Sequence, residues 1–112
     1  MIFKGGRVFT GEKFEKADVR TEDGKIAEIG AELPAKEGEE IVELWENPLV
    51  PGFIDLHTHG CIGYDFSTAD AEEIDRMCAF YFSRGITSVA GTTMTMGYED
   101  YKKAAAVIGE YM

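Results

Sequence analysis

The hydrophobic pattern changes character at Pro51-Gly52, and that change constrains the fold of this 112-residue chain more than any other feature. Upstream, short apolar runs alternate with polar residues and are broken by tight turns. Residues 7–10 and 17–20 read as strands. Glu22-Asp23-Gly24-Lys25 carries the Asp-Gly signal of a hairpin, and residues 25–30 return from it with period-two alternation. After a polar stretch holding Pro34 and Gly38, residues 41–45 read as a further strand. No nucleophile, phosphate loop or metal cluster is present here, so these strands read as scaffold. Downstream the order becomes strand, helix, strand, helix, which is the pattern of a parallel sheet. The chain is therefore expected to be α/β in class, with a β-rich portion over 1–50 and a βαβα portion over 51–112.

Within the second portion, residues 53–58 read as a short buried strand, entered through Pro51-Gly52 and left through Gly60. Ser67 or Thr68 is expected to cap the following helix, with Asp70 three residues past Ser67 completing a capping box. Ile74, Met77, Cys78, Tyr81 and Phe82 recur at the spacing of one buried helical stripe, and Gly85 suits the position just past its end. Residues 86–90 form the second strand, with Gly91-Thr92-Thr93 leaving its C-terminal end. A last helix over 98–112 has Glu99 and Asp100 in its first turn and an apolar stripe of Tyr98, Tyr101, Ala105, Ile108 and Met112. That stripe meets no stop signal, and two parallel strands are fewer than a covered parallel sheet normally holds. The expectation is an N-terminal piece of a longer protein.

Acidic residues outnumber basic ones by 21 to 11, for a net charge of −10. Such a surface repels nucleic-acid phosphates and anionic lipid, so neither is an expected partner. Much of the acidity lies between Glu37 and Glu46 and reads as a solvated loop or strand edge. No apolar run is long enough to span a membrane, and the N-terminus lacks a secretory signal. Cys61 and Cys78 sit in no CxxC pair and build no disulfide framework, which fits a reduced cytoplasm.

The chemistry concentrates in Phe53-Ile54-Asp55-Leu56-His57-Thr58-His59-Gly60. These are the chain's only two histidines. In a strand, residues i and i+2 point the same way, so Phe53, Asp55, His57 and His59 share one face and Ile54, Leu56 and Thr58 the other. Two imidazoles on one face at a strand's end can converge on a single cation, and neutral imidazole suits zinc, iron, nickel or copper. Asp55 reads either as a group orienting one of the imidazoles or as a hydrogen-bonded strand aspartate. Between Ile54 and Ile74 there is no lysine or arginine to grip an anion.

The run Pro51-Gly52-Phe53-Ile54-Asp55-Leu56-His57-Thr58-His59 resembles the entry strand of the amidohydrolase superfamily, in which this motif opens a metal-binding (β/α)8 barrel. Gly60-Cys61-Ile62-Gly63-Tyr64-Asp65-Phe66 and residues 85–95, ending in Thr92-Thr93-Met94-Thr95, most resemble the N-acetylglucosamine-6-phosphate deacetylase family. The resemblance covers nearly the whole chain. It implies a β-sandwich portion followed by the first βαβα units of a truncated (β/α)8 barrel. It also implies a cytoplasmic hydrolase that removes acetate from an amino-sugar phosphate, with a divalent metal, zinc or iron, as one or two ions. His57 and His59 match the family's first-strand metal ligands. No catalytic or cofactor-binding residue is expected within these 112 residues, so the chain alone is expected to be inactive and the full-length parent to be a homodimer. Cyclic amidohydrolases, which share the first motif, and a non-catalytic assembly module are the competing readings.

Overall fold

Strand β1 (Ile2–Phe9) is the spine of the first half. It pairs antiparallel with β2 (Phe14–Glu22), which pairs antiparallel with β3 (Lys25–Gly30) across the Asp23-Gly24 turn. Two short strands, β4 (Ile41–Glu43) and β5 (Pro48–Leu49), add parallel to β1, making a five-stranded sheet. Val8, Ala17 and Val19 form its buried cluster, with Phe3 and Leu49 packed against them. Both β1 and β2 start earlier than the sequence pattern suggests. A bulge between Phe3 and Gly6 shifts the register of β1, and this irregularity breaks the alternation that would mark the strand. Strand β4 stops at Glu43 instead of reaching Trp45, because Trp45 and Glu46 turn the chain through positive φ angles of 51° and 63°.

Two charged residues are buried in this sheet, Asp18 and Arg20. The Asp18 carboxylate accepts the Gly5 N–H at 2.8 Å and the Leu33 N–H at 2.9 Å, and pairs with Lys4 Nζ at 3.4 Å. Arg20 donates from Nε to Glu39 Oε1 at 2.8 Å and from Nη2 to the Pro34 carbonyl at 2.6 Å, and it also pairs with Glu28. Glu39 is therefore no solvated loop acid: its side chain is only 6% exposed. Burying a guanidinium requires a carboxylate partner, and Glu39 supplies it. The Arg20 hydrogen bonds hold the Glu39 carboxyl down at about 2.

The structure is a computed structural model describing all 112 residues, and the chain divides into two compact units, Met1–Pro51 and Gly52–Met112. In the second unit, β6 (Phe53–Thr58) and β9 (Ile86–Gly91) run parallel, joined through helix α1 (Ala71–Ser83). A small hairpin, β7 (Gly60–Cys61) with β8 (Tyr64–Asp65), lies between β6 and α1, and α2 (Tyr98–Tyr111) follows β9. The core is Phe66, Ala69, Ile74, Met77 and Tyr81, with Cys78, Ile86, Val89, Val107 and Ile108 packed on it. No helix is long and apolar enough to cross a membrane.

Four expectations need correction here. Helix α1 is capped by Asp70, not by Ser67 or Thr68. Asp70 accepts the Glu73 N–H at 2.9 Å, and Glu73 returns to the Asp70 N–H at 3.1 Å, a complete capping box one turn later than expected. Ser67 is occupied elsewhere, its Oγ accepting the Met94 N–H at 2.8 Å. Phe82 does not join the buried stripe and is 72% exposed. Helix α2 docks through Ala104, Val107 and Ile108, leaving Tyr98, Tyr101 and Met112 in water; the tyrosines keep their hydroxyls hydrated while the aliphatic face packs. Finally, β6 is not buried: Ile54 is 66% and Leu56 77% exposed, and neither joins the core on which the helices pack.

Candidate metal centre

The end of β6 is shaped by a bulge. Asp55 pairs with Val89 and Thr58 with Gly91, so β6 takes three steps where β9 takes two. The extra residue falls in the stretch holding Leu56 and His57. Bulges re-aim side chains and gather near functional sites. Asp55 Oδ1 accepts the His57 backbone N–H at 3.0 Å, which gives that amide a partner within the irregular stretch. Of the two readings of Asp55, the observed contact is to the backbone; no hydrogen bond joins it to an imidazole.

The His57 and His59 rings lie side by side, their centroids 5.1 Å apart and their planes nearly perpendicular. His59 Nδ1 is 3.0 Å from the carbonyl oxygen of Thr92, the first residue past β9. A carbonyl only accepts, so Nδ1 carries the hydrogen and the lone pair lies on Nε2. That is the arrangement found for metal-ligating histidines, whose second nitrogen is engaged by a carbonyl or carboxylate. The Thr92 carbonyl is itself positioned, because the Thr92 N–H donates to the Thr58 carbonyl at 2.8 Å. On the hairpin side, the His59 carbonyl accepts the Phe66 N–H at 2.8 Å.

Gly60 allows this crowding. A Cβ there would lie 2.1 Å from the Tyr64 carbonyl oxygen, and the residue has φ +147°. Asp65 is held in the carboxylate form by hydrogen bonds from Ser67, which lower its pKa. From α1, the Tyr81 hydroxyl shares a 2.8 Å hydrogen bond with Thr58 Oγ1, on the residue between the two histidines. Burial raises the Tyr81 phenol above its usual range, so it stays protonated.

Two neutral imidazoles are donors of the kind that suit a divalent transition ion. No group of three or more His, Cys, Asp or Glu side chains converges to hold a metal. Catalytic zinc sites use three protein ligands, and this chain brings two imidazoles. Sequence reasoning located the two histidines and missed what holds them. A backbone carbonyl such as that of Thr92 leaves no mark in a sequence, and the Thr58–Tyr81 contact spans 23 residues.

No family model matches the chain. It is 35% identical over 95 residues, 85% of its length, to an N-acetylglucosamine-6-phosphate deacetylase of Lysinibacillus sphaericus. It is 29% identical over 112 residues, 94% of the chain, to a dihydropyrimidinase of Dictyostelium discoideum. Among solved structures, the N-acetylglucosamine-6-phosphate deacetylase of Pasteurella multocida superimposes with a TM-score of 0.90 at 27% identity over 98% of the chain. The chain spans 24% of the Lysinibacillus deacetylase, 22% of the dihydropyrimidinase and 30% of the Pasteurella structure. Sequence and fold together relate this chain to a part of the N-acetylglucosamine-6-phosphate deacetylases about a quarter of their length.

Proposed function

We propose that this chain supplies the N-terminal part of a metal-dependent amidohydrolase that converts N-acetylglucosamine 6-phosphate to glucosamine 6-phosphate and acetate. The observation that carries the reading is the pair of adjacent imidazoles at the C-terminal end of β6, with the Thr92 carbonyl leaving His59 Nε2 free. In this reading Met1–Pro51 is a β-sandwich portion and Gly52–Met112 the first two strand–helix units of a (β/α)8 barrel, a fold whose active sites lie at the C-terminal ends of its strands. The complete protein is then a cytoplasmic homodimer acting on an amino-sugar phosphate.

His57 and His59 would hold a divalent ion, zinc or iron, alone or as one of two. Such an ion polarises an acetamide carbonyl and lowers the pKa of its bound water. The chain's own contribution is positional: β6 presents both rings, Thr92 fixes the tautomer of His59, and the β7–β8 hairpin braces its backbone. Deacetylation also needs a group to protonate the departing amine and contacts for the phosphate. Asp55, the one acid beside the pair on β6, spends an oxygen on the His57 amide, and no lysine or arginine lies between Ile54 and Ile74.

The test is acetate release from N-acetylglucosamine 6-phosphate, followed for the 112-residue chain and a full-length parent side by side. The expected result is metal-dependent turnover by the parent and none by the chain. The dihydropyrimidinase relative keeps a cyclic-amide activity as the second reading. A parent that opens dihydrouracil or a hydantoin but leaves the sugar intact would move the assignment to that branch.

A further inference from the structure

We infer that Tyr81 is a positioning residue for the histidine pair, acting through Thr58. Its ring is buried in the core of the second unit, where a phenylalanine would pack equally well. A buried hydroxyl is unfavourable without a partner, so its presence needs a reason. The hydroxyl meets Thr58 Oγ1 at 2.8 Å, and Thr58 is the one residue between His57 and His59.

Thr58 is held from two directions. Its side chain is tied to α1 by Tyr81, and its carbonyl accepts the Thr92 N–H at 2.8 Å. Thr92 then turns its own carbonyl to His59 Nδ1 at 3.0 Å. A continuous path thus runs from the helix hydroxyl through the strand to the ring nitrogen that sets the tautomer. The bulge beside it makes the tether necessary, since the sheet ladder is irregular between Asp55 and Thr58 and cannot fix the strand end alone. Without the hydroxyl, the strand end loosens, the Thr92–His59 contact opens, and the ring samples both tautomers.

The functional meaning of this device rests on the metal-ligand reading of His57 and His59, but its test does not. Long-range proton–nitrogen NMR of the metal-free 112-residue chain reports the His59 tautomer directly. The wild type should show the Nδ1–H form in large excess, and Tyr81→Phe should reduce that excess several-fold. Thr58→Val should behave like Tyr81→Phe, while Thr58→Ser, which keeps the hydroxyl, should restore the wild-type spectrum. A purely structural role would lower the unfolding midpoint of Tyr81→Phe and leave the tautomer unchanged, and that result would overturn the inference. Zinc added to the same samples gives the second readout: affinity should fall about tenfold in Tyr81→Phe, in the range seen for outer partners of ligating histidines. If the wild type binds no zinc, the metal reading fails, while the tautomer comparison still decides the role of Tyr81.

Discussion

Gly60→Ala should damage the candidate site without touching either imidazole. The new Cβ would stand 2.1 Å from the Tyr64 carbonyl oxygen, 2.8 Å from Asp65 Cα and 2.9 Å from the Tyr64 carbonyl carbon, all of them backbone atoms. The β7–β8 hairpin must therefore open by more than about an ångström to restore an ordinary van der Waals separation. Opening it puts at risk the Gly60–Asp65 pairing and the Phe66 N–H bond to the His59 carbonyl. Each lost hydrogen bond costs about 0.5–1.5 kcal/mol. Holding alanine at φ +147° adds on the order of 1–3 kcal/mol. The sum is roughly 2–6 kcal/mol, a large share of the stability of a domain this size. Urea unfolding followed by circular dichroism measures it. Gly63→Ala is the control, because Gly63 also has a positive φ, +90°, but has nothing within 4 Å of its Cβ position. Gly60→Ala should lose clearly more stability than Gly63→Ala. Equal losses would refute the argument that backbone crowding behind His59 shapes the site.

Two further outcomes follow from the packing and the charges. Met77 is fully buried at the centre of the second unit's core, so Met77→Ala should cost about 2–5 kcal/mol in a urea titration. The Glu39 carboxyl is held at about 2, below its ordinary 4.5, by Arg20. Its contribution to stability is therefore complete above pH 4.5 and is lost as the pH falls towards 2. Glu39→Gln should be less stable at neutral pH and should lose less stability than the wild type across that acid window, in thermal unfolding at stepped pH.

The two-part organisation was legible because apolar period changes at Pro51-Gly52, and because Asp23-Gly24 and Gly85 carry local backbone signals that tertiary packing does not override. The histidine pair was legible too, since two such residues two apart in a strand are conspicuous. What failed did so for identifiable physical reasons. The expected cap, Ser67, and the observed one, Asp70, stand three residues apart, and the Ser67 hydroxyl is taken by the amide of Met94, twenty-seven residues later. Glu39 looks like one more acid in an acidic loop until Arg20, nineteen residues earlier, is seen to be buried beside it. The bulge in β6 and the Thr92 carbonyl are backbone events with no residue signature. The exposure of Ile54 and Leu56 depends on which elements flank β6, and the local alternation of residues does not report it.

The central claim, that His57 and His59 form the first-strand half of a divalent metal centre, is tested most directly by titrating zinc into the metal-free chain while following both histidine rings by proton–nitrogen NMR. Both rings should shift together, His59 through Nε2 with its Nδ1 hydrogen retained, and the affinity should be weak because a third ligand is missing. The shared response should disappear in His57→Ala. Shifts confined to one ring, or binding through His59 Nδ1, would contradict the claim.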